Sequence, residues 1–208
     1  IIRQVGDIGR MVDEFSSFAR MPTAAVESGD LSDTIRQAAF LESVRQPEIA
    51  LDVNLPDNAI IAHFDQRLIA QALTNLIKNA VESIEAVGLS EIAQPKVTVT
   101  AVPEGEMVRV QVCDNGRGWP VENRQRLLEP YMTTREKGTG LGLAIVAKII
   151  EQHGGTVDLV DAPPDATGRV GACFAFTLPL DRATDSDPPP TALPEHEPPG
   201  EMTENDET

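Results

Sequence analysis

Apolar and polar residues alternate from Lys96 to Val102 and again from Val108 to Cys113, with Val97 and Val99 in the first run and Val108, Val110 and Val112 in the second. A period of two predicts half-buried strands, here a hairpin turning at Pro103-Glu104-Gly105. Upstream the period lengthens. Leu68, Ile69, Ala72, Leu73, Leu76, Ile77, Ala80, Val81 and Ile84 recur at three and four, the wide apolar face of a helix that Asp65 caps and that runs to about Val87. A shorter helix has Leu31, Ile35, Ala38, Ala39 and Leu41 inside, Asp30 or Ser32 as its cap and Pro47 as its stop. A third spans Leu141 to His153 and ends at Gly154-Gly155. Runs at 49–54 and 59–64 flank a Leu-Pro-Asp-Asn turn, 121–128 reads as a short helix, and 157–160 and 170–178 read as closing strands. Elements in this order predict a two-layer α/β sandwich, with helices on one face of a mixed sheet.

The ends differ from this body, which spans 31–180. Ile1, Val5, Ile8, Val12, Phe15 and Ala19 alternate spacings of four and three, the seam of a coiled coil or bundle, so residues 1–21 predict a helix in need of a partner. A linker follows over 22–30. The tail, 181–208, holds nine acids, one base and six prolines, a composition expected to remain disordered. It supplies half of the formal net charge of −16, and that charge argues against a nucleic-acid surface. Cys113 and Cys173 lie in apolar strand-like runs, where cysteine is expected to act as a small hydrophobe outside any disulfide framework. No apolar run approaches bilayer length, so a soluble, reducing compartment is expected. A start at Ile1 reads as a fragment.

Against the acidic background, the candidate chemistry gathers in three places. Glycines fall at 116, 118, 138, 140 and 142, within Asp114-Asn-Gly-Arg-Gly118 and Lys137-Gly-Thr-Gly-Leu-Gly-Leu143. The second cluster opens a helix, where free N–H groups and the dipole's positive end favour phosphate. Asn75 and Asn79 are four apart, so they share one face of an otherwise apolar helix with Lys78 beside them. An amide oxygen there suits a hard cation such as Mg²⁺. Lys78, Arg117, Arg135 and Lys137 form a local basic group within these motifs.

Together with Glu129-Pro-Tyr-Met-Thr-Thr-Arg135, these pieces resemble the ATP-binding domain of sensor histidine kinases, in the gyrase, Hsp90, histidine kinase and MutL superfamily. They look like the N box (75–79), first glycine box (114–118), F box (129–135) and second glycine box (138–142). The wording at 2–22 resembles nitrogen-regulation sensor kinases of the NtrY kind. The resemblance implies a Bergerat-type fold binding Mg·ATP. It implies that Asp114 accepts from the adenine amino group, Gly116 and Gly118 pass close to the base, and Asn79 ligates Mg²⁺ with Asn75 in support. Lys78 would meet the phosphates. Gly138, Thr139, Gly140, Leu141 and Gly142 would wrap them. Thr133, Thr134, Arg135 and Lys137 would sit on a lid, with Arg135 reaching the γ-phosphate. Residues 1–21 would be the second helix of a dimerisation and phosphotransfer hairpin whose first helix carries the acceptor histidine. A response regulator receiver domain would take the phosphoryl group, and the domain would lie on the cytoplasmic side of an inner-membrane sensor.

Asn75 separates the alternatives. Relatives that hydrolyse ATP or phosphorylate serine carry glutamate there as a base. An amide takes no proton at neutral pH, whereas an imidazole acceptor already holds a free lone pair, which favours transfer to histidine. His63, in a strand, His153, at a helix end, and His196, in the tail, do not read as acceptors. An ATPase or serine kinase of the same fold, and a nucleotide-gated interaction module without transfer, remain the alternatives. One departure stands out: where the superfamily often has Gly-Thr near the last strand, this chain has Gly171-Ala172.

Overall fold

The computed structural model describes residues 21–133, 138–165 and 167–181. Apart from Met21 and Asp181, the expected bundle helix and acidic tail fall outside them. In order come β1 (Glu27–Asp30), α1 (Leu31–Arg45), β2 (Ala50–Asn54), β3 (Ile61–Phe64), α2 (Gln66–Glu85), β4 (Lys96–Glu104), β5 (Met107–Asp114), α3 (Gly142–Gln152), β6 (Val157–Asp161) and β7 (Ala172–Pro179). The segment expected as a short helix near 121–128 is a 3₁₀ turn over Arg124–Leu128.

Five strands form one mixed sheet in the order β2-β4-β5-β7-β6, with β2 and β4 parallel and the other neighbours antiparallel. The period-two residues Val97, Val99, Val108, Val110, Val112, Phe174, Phe176 and Leu178 are buried. The described helices cover this face, with α2 touching both α1 and α3. The α2 residues from Leu68 to Ile84 that the helical period selects are all buried. Asp65 caps that helix by accepting from Leu68 N–H at 3.0 Å. It also accepts from the Ala25 N–H at 3.0 Å, which ties the incoming chain to the helix start. Burial raises the Asp65 pKa, but these donors and the Arg67 guanidinium outweigh it and hold the carboxyl below its ordinary value. At α1 the cap is Asp30, accepting from Ser32 and Asp33 N–H groups at 2.8 and 3.2 Å. The Ser32 hydroxyl instead accepts from Ile60 N–H at 3.1 Å.

Two expectations are corrected. The first concerns the linker expected over 22–30, because β2 joins β4, while β3 pairs with β1 in a separate two-stranded ribbon. Part of the expected linker is therefore a strand. The end of the body is fastened to this ribbon, with Leu180 bridged to Ala62. There Asp181 accepts from the Ser28 hydroxyl at 2.5 Å and meets His63 Nε2 at 2.9 Å. The second correction concerns the cysteines. Cys113 and Cys173 are register partners across β5 and β7, with Cα atoms 4.0 Å apart, and form a disulfide. Each run reads as apolar strand on its own, but the pairing depends on a contact between distant parts of the chain.

Candidate functional site

Helix α2 carries a polar line along its apolar cylinder. Asn75 and Asn79 are half-buried and Ser83 is buried. A spacing of four stacks them along one side. Opposite the far end of this line β5 delivers Asp114. Its alternation puts Val108, Val110, Val112 and Asp114 on the same buried face, so period two aims a carboxylate at the helical layer. Asp114 is 7% exposed. A buried charge needs donors, and two reach Asp114 Oδ1: the Ser83 hydroxyl at 2.9 Å and the Gly116 N–H at 2.8 Å. The Arg117 N–H donates to Ser83 Oγ at 3.2 Å, so the glycine turn is stitched to α2.

The glycines here are set first by the protein's own backbone. A Cβ at Gly116 would stand 2.5 Å from the Ser83 carbonyl carbon and hydroxyl. A Cβ at Gly171 would overlap the Asp114 carbonyl oxygen, so the approach to β7 lies directly on the strand that holds the carboxylate. Gly118 sits similarly against the Val170 carbonyl. Ala172 follows, 5% exposed, immediately before Cys173 of the Cys113–Cys173 register pair.

One turn back along the line from Ser83, Asn79 meets the start of α3. A Cβ at Gly142 would contact Asn79 Nδ2 at 3.6 Å, an ordinary distance. The residue before the helix, Leu141, is fully buried and gives it no side-chain cap. Thr139 Oγ1 accepts from Leu141 N–H at 3.3 Å. First-turn N–H groups have no partner inside a helix, so this end is suited to an anion. Gly138 and Gly140 precede it, half-buried. Tyr131, with φ +66°, donates its N–H to the Gly140 carbonyl at 3.0 Å, which clasps the two ends of the candidate lid. Thr133 is exposed between them. Thr134, Arg135 and Lys137 lie outside the described residues.

Lys78 is exposed and turned towards α1, in a cleft of about 220 Å³ lined by Glu42, Arg45, Glu82 and Glu85 among others. Asn75, Asn79 and Asp114 are thus gathered with both glycine clusters, and Lys78 stands on the shoulder. Ser83 is a site residue that none of the sequence motifs marks, and Gly171 enters the sequence reading only through the Gly171-Ala172 departure. Ser83 had a signal, being the next polar residue at the same spacing of four. No set of three or more His, Cys, Asp or Glu residues able to hold a metal occurs among the described residues. A cation here would depend on the Asn79 amide and on oxygens of the ligand. The described residues also include no helix long and apolar enough to cross a membrane.

Residues 64–182 match the family described as histidine kinase-, DNA gyrase B-, and HSP90-like ATPases. The nitrogen regulation protein NtrY of Azorhizobium caulinodans is 58% identical over 86% of this chain, which spans 22% of that protein. Full-length ShkA in complex with AMPPNP superposes with a TM-score of 0.71 at 29% identity, over 86% of this chain and 37% of that one. Histidine kinase ThkA in complex with the response regulator protein TrrA gives 0.66 at 25% identity, over 86% and 49%.

Proposed function

The chain belongs to the histidine kinase-, DNA gyrase B-, and HSP90-like ATPase family, and we propose that it binds Mg·ATP and transfers the γ-phosphoryl group to a histidine of a sensor kinase. The observation that carries this is the convergence on α2. Asn75, Asn79 and Ser83 line one side, with the Asp114 carboxylate beside Ser83 and the uncapped start of α3 beside Asn79. A carboxylate is acceptor-only and fits the adenine amino donor. The α3 N–H groups, Thr139 and Gly138–Gly142 lie where a triphosphate would follow. Asn79 would hold Mg²⁺ jointly with phosphate oxygens, the usual way for this cation, and the bound ion neutralises charge between the phosphates. Lys78 would meet the phosphates only by swinging its flexible stem out of the cleft on the α1 side, and Arg135, with Thr133, Thr134 and Lys137, would close over them from the lid.

Asn75 supplies no base, so transfer rests on positioning and charge stabilisation. An imidazole nucleophile needs no deprotonation at neutral pH. The acceptor is neither His153 nor His63. His153 is 5% exposed, its Nε2 accepting from Asp65 N–H at 2.9 Å and its Nδ1 2.6 Å from the Ile149 carbonyl oxygen. His63 is paired with Asp181. We assign the acceptor to the helical hairpin of the longer dimeric protein, on the cytoplasmic side of a membrane, with onward transfer to the aspartate of a response regulator.

The test incubates this chain with γ-labelled ATP, alone and with a hairpin segment bearing the histidine. The expected result is acid-labile, alkali-stable label on the hairpin and none on His63 or His153. Phosphoserine, or release of free phosphate without labelling, would overturn the reading in favour of a serine kinase or an ATPase. Mg²⁺-dependent ATP binding with no transfer would leave a nucleotide-gated interaction module.

A further inference from the structure

A carboxylate that reads a base must point one way, and Asp114 has two side-chain torsions to fix. Ser83 stands one turn beyond Asn79, 6% exposed. A serine inside a helix commonly turns its hydroxyl back to its own backbone. Here Ser83 Oγ reaches across to β5, donating to Asp114 Oδ1 at 2.9 Å while accepting from Arg117 N–H at 3.2 Å. The Gly116 N–H reaches the same Oδ1 at 2.8 Å from the opposite element. Two donors converging on one oxygen from a helix and a turn fix the plane of the carboxylate. The absence of a side chain at Gly116 permits this, because a Cβ there would meet Ser83 at 2.5 Å and lift the turn away.

We propose that Ser83 is a positioning residue for base selectivity, holding the Asp114 carboxylate in the orientation that accepts the 6-amino hydrogen of an adenine nucleotide. The inference rests on the adenine role of Asp114. Its rival is a purely structural role, in which Ser83 stitches the turn through Arg117 and serves every nucleotide alike.

The two separate in a comparison of ATP with purine riboside triphosphate, which keeps the sugar and phosphates but lacks the amino group. Dissociation constants are measured for wild type, Ser83→Ala, Asp114→Asn and the double variant. Ser83→Ala should weaken ATP about fivefold, the scale of one hydrogen bond to a charged group acting indirectly. It should leave purine riboside triphosphate within about twofold, and in the Asp114→Asn background it should add no further loss. Alanine is the better helix former, which favours folding of the variant. Should it unfold, Ser83→Cys, a weaker donor, is read the same way. Equal weakening of both nucleotides, or unchanged ATP affinity, would overturn the proposal. Loss of ATP preference in Asp114→Asn with none in Ser83→Ala would sink the Ser83 role alone. Unchanged preference in Asp114→Asn would remove the adenine reading and the Ser83 role with it.

Discussion

Two neighbouring turns of α2, at Ser83 and at Asn79, end in contacts built on opposite plans. At the Asp114 end the protein closes on itself: Ser83, Gly116 and Gly171 meet strand, turn and carboxylate with no room for one more carbon. At the Asn79 end the contacts are ordinary. Gly142 leaves 3.6 Å to the nearest amide atom and α3 opens without a side-chain cap. On the proposed reading, selectivity for a base would come with folding itself, while the grip on phosphate would await a ligand to complete it.

The largest expected effect lies at the closed end. Gly171→Ala drives a carbon into the Asp114 carbonyl and should cost about 3 kcal/mol or more of stability, since backbone on both sides must move; denaturant unfolding reads it. If stability is unchanged, the closed end is more yielding than described. Asp114→Asn keeps the fold and should weaken ATP binding by at least about 1.5 kcal/mol, the scale of a charge-assisted hydrogen bond. Titration with a fluorescent ATP analogue checks it, and equal affinities would remove Asp114 from the site.

Asp65 offers a control away from both ends. Its pKa is lowered from an ordinary 3.8, so its contribution is present above that value and is lost as pH falls through the depressed one. Asp65→Asn should lower stability by about 1 kcal/mol near neutrality. Its stability should approach that of the wild type only as the pH falls through the depressed pKa, and parallel curves throughout would contradict the assignment. The smallest effect belongs to the open end. Gly142→Ala should change stability by less than about 0.5 kcal/mol, helix propensity offsetting the ordinary contact with Asn79, yet weaken ATP about threefold by crowding the phosphates, a difference under 1 kcal/mol. Destabilisation on the scale of Gly171→Ala would erase the contrast between the ends.

What the sequence revealed follows the same division. Period two was enough to put Asp114 on the buried face, and period 3.6 enough to align Asn75 with Asn79, because both are properties of one element. Contacts between elements were not legible. The Ser83–Asp114 bond joins positions 31 apart, and the Cys113–Cys173 disulfide positions 60 apart. No local pattern announces that β2 chooses β4, or that β3 chooses β1 over its neighbour. The resemblance gives Gly116 and Gly118 the task of letting the backbone pass close to a base. At Gly116, and at Gly171, glycine first makes room for the chain's own backbone.

When oxidised, the Cys113–Cys173 pair makes a covalent ring of residues 113–173, which a reducing cytoplasm would keep open. Asp114, both glycine boxes, the candidate lid and α3 all lie on it, whereas Asn75, Asn79 and Ser83 lie outside. Closing a ring of this length withdraws about 4 kcal/mol of chain entropy from the unfolded state. A protease that cut the lid once would leave one molecule rather than two. The halves would separate on a denaturing gel only after a thiol reductant opened the ring, so the nick would be invisible without one.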